Sequence, residues 1–270
     1  MVYGVLRFIN FAHCDVFMVG AFAGYYIGQH VPEHTWWGGL VALAGAMLIC
    51  AVLGVVIERL AYRPLRGAPT LNVLITAIGV SLLLENLGQH FFGATPRAFP
   101  ELFPVQSFEL GGVFFSSNQL VVIGVSLLLL FALRFIVLRT KIGTAMRALS
   151  LNRQAASLVG INNDFVISVT FALGSALAAA GGILYALNYP SIDPLMGVLP
   201  GLKAFVAAVL GGVGNIPGAA LGGLLLGIVE TFVGGSEWST YKDAIAFALL
   251  ILILLFRPAG LLGRHLREKV

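Results

Sequence analysis

Long apolar runs separated by short polar loops recur along the whole sequence. They lie at residues 14–29, 36–57, 71–92, 118–138, 165–187, 198–233 and 243–256. An α-helix needs ~20 apolar residues to cross the core of a bilayer, and an isolated strand there would leave its backbone polar groups unpaired. The runs therefore predict a single all-α domain over residues 1–270. Its expected fold is a polytopic membrane helix bundle with about 7–8 hydrophobic segments, including one broken or re-entrant helix.

The scarcity of charge excludes a soluble domain. Only 10% of the residues are charged, whereas soluble domains carry about 25%. The sequence has no GxxxxGK[ST] nucleotide loop, no HExxH motif and no convincing pair of catalytic carboxylates. Cys14 and Cys50 lack the spacing of a redox or metal-binding pair, so we expect them to be small buried hydrophobes. We expect no enzymatic activity, no cofactor and no metal.

Basic residues are concentrated in alternate loops. The basic stretches are 58–70, 139–163 and the tail from 257, whereas Lys and Arg are nearly absent from 30–35, 93–117, 188–197 and 234–242. This asymmetry follows the positive-inside rule, so we expect the basic loops and the tail to be cytoplasmic. The net charge of +4 is then a signal of topology, and no nucleic-acid partner is needed to explain it.

The alternation of cytoplasmic and external loops fails if residues 198–233 cross the membrane once, because the basic tail would then end outside. It is restored if the chain turns at 211–217 and returns to the same face. The stretch before the turn, about 15 residues, would span only ~22 Å of the ~30 Å core. We therefore predict a broken helix over about 198–233, with its turn lining a substrate path. A Gly-rich packing face between helices is the alternative. The turn residues concerned are Gly211, Gly212, Gly214 and Asn215.

Polar side chains inside apolar stretches are further candidates for the substrate path. Such groups are costly at membrane depth and tend to be functional. Asn10 and His13 lie near the start of the first segment, and Glu85 lies about two-thirds along its own. Alternatively, the first two lie at the membrane interface and Glu85 bonds a neighbouring helix. Lys203, near the start of the broken helix, is expected to pair with Asp193.

The stretch 139–163 is the longest of the predicted cytoplasmic connections. It places Ala145, Leu149, Ala156 and Val159 at helical spacing among basic residues. This pattern predicts short amphipathic helices with the four side chains on one face. An apolar face on such a loop needs a surface to pack against, either the lipid headgroup layer or the groove of a protein partner.

Several motifs, in order, resemble one family of transporters. The stretch RQAASLVGIN at 153–162 is similar to the cytoplasmic coupling loop of bacterial ABC importers, although Gln154 replaces the usual Glu. Cys14 likewise replaces a usual Gly. Four further motifs resemble the permeases of branched-chain amino-acid importers, the LivH type. They are FINFAH (8–13), GLKAF (201–205), LGGVGNIPGA (210–219) and FRPAGLLG (256–263). Because that family carries a hydrophobic segment before the first motif, we expect this sequence to be truncated or to begin at an internal Met.

The resemblance implies a permease subunit of an ATP-driven importer for branched-chain or similar small amino acids, in the bacterial inner membrane. The partners it implies are ATP-binding cassette ATPase subunits, a second related permease subunit, a periplasmic substrate-binding protein and the lipid bilayer. The residues expected to contact the ATPase are Arg147, Arg153, Ala155, Ala156 and Gly160. A permease for urea or short amides, a self-contained secondary transporter or channel, and a purely structural subunit remain alternatives.

Overall fold

A computed structural model describes residues 10–110, 112–257 and 259–263, which form two compact units divided near residue 198. The helices of the first unit are α1 (His13–Gly28), α2 (Trp36–Ile57), α3 (Thr70–Phe92), α4 (Ser117–Arg139), α5 (Lys141–Leu151), α6 (Arg153–Leu158) and α7 (Asn163–Asn188). A π-helical turn (Glu58–Tyr62) and a 3-10 turn (Arg63–Leu65) continue α2. The strands are β1 (Arg97–Ala98), β2 (Ser107–Leu110), β3 (Val113–Ser116) and β4 (Ser191–Ile192). The helices that follow are α8 (Val198–Gly211), α9 (Ile216–Gly234) and α10 (Lys242–Phe256), the last preceded by a 3-10 turn (Ser239–Tyr241).

Within the described ranges, 6 helical stretches are long and apolar enough to cross a membrane. They are Trp36–Leu65, Thr70–Phe92, Ser117–Arg139, Asn163–Asn188, Ile216–Gly234 and Ser239–Phe256, and α8 is apolar but shorter. Many of their apolar side chains point outward, with Trp37 79% and Phe131 62% exposed. Apolar outer faces of this kind suit lipid and not water. The prediction of a polytopic helical membrane bundle is confirmed.

The core of the first unit forms where α1, α2 and α7 pack against one another. Small residues allow this close packing: a Cβ on Gly20 would overlap the backbone of Ala179, and one on Gly54 would overlap the side chain of Ser175. Small residues let helix backbones approach closely in a membrane, where dispersion contacts replace the hydrophobic effect. Cys50 is fully buried as expected, whereas Cys14 is only partly buried, and both are free thiols.

The loops of the first unit gather at two ends. At one end β1 pairs with β4, which joins the stretches 93–117 and 188–197. The same end includes His34, whose ring lies 3.4 Å from the Glu101 carboxylate. These three Lys- and Arg-poor loops therefore share one face, as the positive-inside pattern predicts for loops on the same side.

Part of the predicted loop at 93–117 is a β-hairpin, which the sequence analysis did not anticipate. Strands β2 and β3 pair in antiparallel register, with Ser107 opposite Ser116 and Phe108 opposite Phe115. The two facing rings stack with centroids 5.7 Å apart. Aromatic pairs across strands stabilise such ladders, and the alternation of polar and apolar residues is too short to be recognised against the surrounding apolar runs.

The second unit consists of α8, α9 and α10. Its core is small and apolar, formed by Val206 and Ala207 of α8, Leu226 of α9 and Ala246 of α10. Where α8 and α9 cross, a Cβ on Gly222 would overlap the carbonyl oxygen of Ala207. The two helices meet backbone to backbone, which requires glycine at the contact.

Candidate functional site

A break between two helices lies at the turn that the sequence analysis singled out. Helix α8 ends at Gly211 and α9 begins at Ile216. Gly212 and Gly214 have φ values of +103° and +88°, a region that L residues with a Cβ rarely occupy. Asn215 caps α9 by accepting a hydrogen bond from the Gly218 amide at 3.1 Å, as an N-cap side chain does.

The segment after α10 covers this turn. The amides of Leu261 and Leu262 donate to the carbonyls of Leu210 and Gly211 at 2.8 and 3.2 Å. Asn215 donates from Nδ2 to the Leu262 carbonyl at 2.8 Å. The last carbonyls of a helix have no partner within it, so the segment supplies the missing donors. The GGVGNIPG and RPAGLLG motifs, far apart in sequence, thus form one local structure.

Some glycines of this turn pack closely against neighbouring backbone. Close packing is the alternative that the sequence analysis gave to a substrate path. A Cβ on Gly211 would overlap the carbonyl of Gly218, and one on Gly212 would lie 2.5 Å from the Gly263 amide. Val213 remains 44% exposed, and a Cβ on Gly214 would meet nothing within 4 Å. Gly211 and Gly212 are thus committed to packing, while Val213 and Gly214 are open.

The polar residues near the start of α1 meet the polar face of α3 and the π-helical turn. Asn10 accepts a hydrogen bond from the Tyr62 hydroxyl at 2.6 Å. Asp15, 1% exposed, accepts one from Ser81 at 2.5 Å. Glu85 lies one helical turn after Ser81 and is half-buried, as is His13 at the start of α1. The predicted residues Asn10, His13 and Glu85 are joined by Asp15, Ser81 and Tyr62, which the sequence analysis did not select. The motif residues Phe8 and Ile9 lie outside the described ranges.

The expected partner of Lys203 was wrong. The ammonium of Lys203 lies 2.9 Å from Glu230 and 2.7 Å from Asp243. Asp193 instead accepts a hydrogen bond from the amide of Leu195 at 2.8 Å. The ion pairs connect one residue on each of α8, α9 and α10. Proximity in sequence suggested Asp193, but the folding back of α9 brings two more distant carboxylates closer.

The stretch 139–163 contains two short helices with defined ends. Thr140 caps α5 and Asn152 caps α6 through side-chain acceptors. Gly160 has a φ of +84°. The amides of Gly160 and Ile161 donate to the carbonyls of Ser157 and Ala156 at 3.1 Å each. This is the Schellman motif, which ends a helix with glycine in a left-handed conformation.

One face of this stretch packs inward and another is exposed. Leu149 and Ala156 are buried at 1% and 3% exposure, and Ala145 is half-buried. The expectation that Val159 shares this face was wrong, because Val159 is 76% exposed. The Schellman turn rotates the chain after Ala156, so helical spacing no longer holds there.

The exposed face is apolar and includes part of the predicted coupling residues. Leu158 is 87% exposed, and Ala155 and Gly160 are also exposed. Arg147 donates to the carbonyl of Val137 in the last turn of α4, which anchors α5 to that helix. Arg153 is half-buried at the start of α6.

An ionic network that the sequence analysis missed lies beside this stretch. Glu58, 0% exposed, pairs with Arg66 and accepts a hydrogen bond from Ser168 at 2.7 Å. Arg66 also pairs with Asp164, which lies 2.5 Å from Arg63. The network joins the 58–70 loop to the start of α7, which directly follows the 139–163 stretch. A glutamate inside an apolar run before a cluster of arginines was the signal that could have indicated it.

A cavity of about 350 Å³ lies between the network and the α5–α6 junction. Its walls include Glu58, Arg66, Leu149, Arg153 and Phe171. A π-helical turn forms one side, and such turns occur often at functional sites. Within the described ranges, no group of three or more His, Cys, Asp or Glu side chains is placed to hold a metal ion.

Comparison with known proteins identifies similar sequences along the whole chain. Residues 1–254 match the family described as branched-chain amino acid transport system / permease component. The high-affinity branched-chain amino acid transport system permease protein BraD of Pseudomonas aeruginosa is 42% identical, over 100% of this chain and 91% of that protein. LivH of Escherichia coli, with the same description, is 41% identical over 100% and 90%. The ribose import permease protein RbsC of Escherichia coli is 28% identical over 87% and 72%. No solved structure matches.

Proposed function

Because this chain belongs to the family of branched-chain amino acid transport permeases, we propose that it is the membrane-spanning subunit of an ATP-driven importer for Leu, Ile, Val or a similar small amino acid. The observation that carries the proposal is the identity of 42% over the full chain to a permease of this description. The chain itself would hydrolyse no ATP. Its partners would be separate ATPase subunits, a second related permease and a periplasmic binding protein.

The face exposed by α6 and the Schellman turn is the proposed contact with the ATPase. Leu158, Val159 and Ala155 form an exposed apolar surface on the 139–163 stretch, which the positive-inside rule assigns to the cytoplasm. Such a surface favours a protein groove as its occupant. Ala156, which is buried, would pack α6 against the rest of the protein, and Gly160 would end the helix. Arg147 and Arg153 would lie at the rim, where charge tunes association more than affinity.

The orientation follows from the loops. The ion pairs of Asp164 with Arg63 and Arg66 hold the 58–70 loop against the start of α7, where the 139–163 stretch ends. We assign this end to the cytoplasm of a bacterial inner membrane because it carries the excess of arginine and lysine. The basic tail is placed there by the same rule.

The substrate path is proposed to use the polar cluster of Asn10, His13 and Glu85 and the helix break at Gly211–Asn215. Polar groups at membrane depth, which are costly and tend to be functional, support the first, and half-helix ends that present partial charges support the second. Gly211 and Gly212 would hold the break in shape, while Gly214 and Asn215 would be nearer to the cargo. Asp15 joins the first group as an additional candidate.

The test is transport by the complete assembly. The chain is co-purified with its ATPases and second permease, reconstituted in proteoliposomes and supplied with its binding protein. Uptake of radiolabelled L-leucine should require ATP. Uptake with catalytically inactive ATPase subunits would instead identify a secondary transporter or channel, and competition by urea or acetamide but not by isoleucine would identify an amide permease.

A matched pair of variants tests the ATPase contact. Leu158→Ser removes the most exposed apolar side chain of α6, whereas Ser157→Ala changes an exposed neighbour on the same helix. We expect Leu158→Ser to reduce co-purification of the ATPase by about tenfold, equivalent to ~1.4 kcal/mol of binding free energy. Equal recovery with both variants would remove α6 from the interface.

A further inference from the structure

A continuous series of side-chain contacts joins the proposed ATPase contact on α6 to Asn10 of the proposed substrate path. Between these two ends lie the start of α7 and the π-helical turn at Glu58–Tyr62. All of these elements belong to the first unit. The series consists of three contacts.

The first contact ties α7 to α6. The Schellman turn ends α6, and Asn162 caps α7 by accepting a hydrogen bond from the Phe165 amide at 3.1 Å. Asn163 donates from Nδ2 to the carbonyl of Arg153 at 3.0 Å. The first residue of α7 is therefore bound to the first residue of α6, so a shift of α6 is passed to the start of α7.

The second contact is the ionic network. Arg66 pairs with Asp164 in the first turn of α7 and, through its other terminal nitrogen, with Glu58. The second oxygen of Glu58 accepts a hydrogen bond from Ser168, one helical turn after Asp164, at 2.7 Å. Glu58 is 0% exposed, and removing one partner of a buried ion pair is strongly destabilising. The network therefore fixes the π-helical turn to α7 at two points.

The third contact leads from the π-helical turn to the substrate path. The ring of Tyr62 packs against Phe171 of α7 with centroids 5.4 Å apart. Its hydroxyl donates to Oδ1 of Asn10 at 2.6 Å. Glu58 and Tyr62 are the first and last residues of the same five-residue turn. The turn that α7 holds in place therefore also positions Asn10.

The cavity shows why the connection runs through α7. Tyr62 and Arg66 line it together with residues 149–151 of the α5–α6 junction. Side chains that border a void lose the contacts that a neighbour would supply there. A space of about 350 Å³ therefore weakens any direct contact between the junction and the π-helical turn, and the contacts through α7 bypass it.

We propose that four residues position the substrate path relative to the ATPase contact and so couple ATP hydrolysis to transport: Asp164, Arg66, Glu58 and Tyr62. This inference rests on the proposed function, which supplies the ATPase and the cargo. The contacts make the position of Asn10 depend on the position of α6. Docking of the ATPase and passage of the cargo then act on the same conformational equilibrium.

Coupling is measured as the stimulation of ATP hydrolysis by leucine-loaded binding protein. The sample is the purified complex with ATPases and second permease in proteoliposomes. Asp164→Asn replaces a carboxylate shared by two guanidinium groups with an amide that has one acceptor oxygen. We expect the stimulation to fall roughly fivefold or more, the lower end of typical coupling between two sites. The amount of ATPase that co-purifies should stay at the wild-type value.

Two control variants accompany Asp164→Asn. Asp164→Glu keeps the carboxylate and should retain most of the stimulation. Arg59→Gln removes a charge from an exposed position in the same π-helical turn and should leave the stimulation unchanged. An equal loss with Arg59→Gln would indicate a general effect of charge and overturn the proposal.

Tyr62→Phe tests the other end of the series without disturbing the ion pairs. It keeps the ring that packs against Phe171 and removes the donor to Asn10. The stimulation should fall as it does with Asp164→Asn. A purely structural role would instead lower the yield or melting temperature of the complex while each assembled complex kept its normal stimulation, and this result would contradict the proposal.

The double variant Asp164→Asn, Tyr62→Phe tests whether the two residues act in one series. If they do, its stimulation should be no lower than that of the more affected single variant. Independent effects would multiply, to about 25-fold for two fivefold losses, and would overturn the proposal.

Wild-type transport of leucine together with normal stimulation in both single variants would contradict this inference and leave the proposed function intact. A wild-type complex that transports no branched-chain amino acid would contradict the proposed function itself.

Discussion

The amide nitrogen of Leu261 lies 2.8 Å from the carbonyl oxygen of Leu210. This hydrogen bond joins the segment after the last helix to the end of α8. It satisfies a carbonyl that would have no partner at the end of the helix. The segment thus holds the turn between α8 and α9 from outside, so the shape of the helix break depends on residues that follow α10.

Two glycines of the turn should respond differently to alanine. Both Gly212 and Gly214 have positive φ, so a Cβ costs about 1–2 kcal/mol of backbone strain at either position. Gly212 also approaches the Gly263 backbone, whereas Gly214 faces open space. We expect Gly212→Ala to lower both thermal stability and leucine uptake more than Gly214→Ala. Equal effects would show that the covering segment has no role at the turn.

A bulkier replacement tests whether the break serves transport. Gly212→Leu should abolish uptake while the protein still inserts in the membrane, because the clash with the 259–263 segment is local. Uptake and the yield of membrane-inserted protein are measured side by side. Uptake at the wild-type rate would exclude the break from the transport mechanism.

Lys203 should stabilise the second unit through its two carboxylate partners. Lys203→Met leaves the partly exposed carboxylates of Glu230 and Asp243 without a counter-charge, and ion pairs of this kind contribute about 0.2–1 kcal/mol each. We expect a lower melting temperature in detergent. Lys203→Met combined with Glu230→Gln and Asp243→Asn should recover part of the loss. A triple variant no more stable than the single variant would indicate that Lys203 acts by packing alone.

Gly160 should be required for coupling because of its backbone conformation. A Cβ there meets no neighbouring atom, so the cost of Gly160→Ala is the strain of a positive φ, about 1–2 kcal/mol. Gly160→Val should cost more, since β-branched residues avoid this region. We expect progressive loss of ATPase co-purification or of substrate-stimulated hydrolysis from Gly to Ala to Val. Wild-type values for both variants would show that the loop tolerates another conformation.

The topology is tested by labelling introduced cysteines with a membrane-impermeant maleimide on intact cells. Glu109 in the hairpin and Ser157 in α6 are both exposed. Glu109→Cys should react from outside, and Ser157→Cys should react only after the cells are opened. Labelling of Ser157→Cys in intact cells would reverse the assigned orientation.

The sequence alone was sufficient to predict the number and approximate bounds of the long helices. It also indicated the helix break, because a single crossing at 198–233 would leave the basic tail on the wrong side. The partner of Lys203 and the exposure of Val159 were predicted incorrectly. Both predictions extended a local rule, nearest charge or helical spacing, across a place where the chain changes direction. The functional roles of the path and coupling residues remain predictions.

What the sequence by itself determined is the class of the protein and which loops of the first unit lie together at one end. The length of an apolar run and the local content of arginine and lysine depend only on residues that are neighbours in sequence. The bilayer responds to both directly. Only the tertiary structure decided which polar groups meet. Glu58 and Ser168 are 110 residues apart in sequence, and Leu261 reaches back to Leu210. Such pairs depend on how small residues allow helices to approach one another, and that packing is a property of the assembled bundle, not of any one segment.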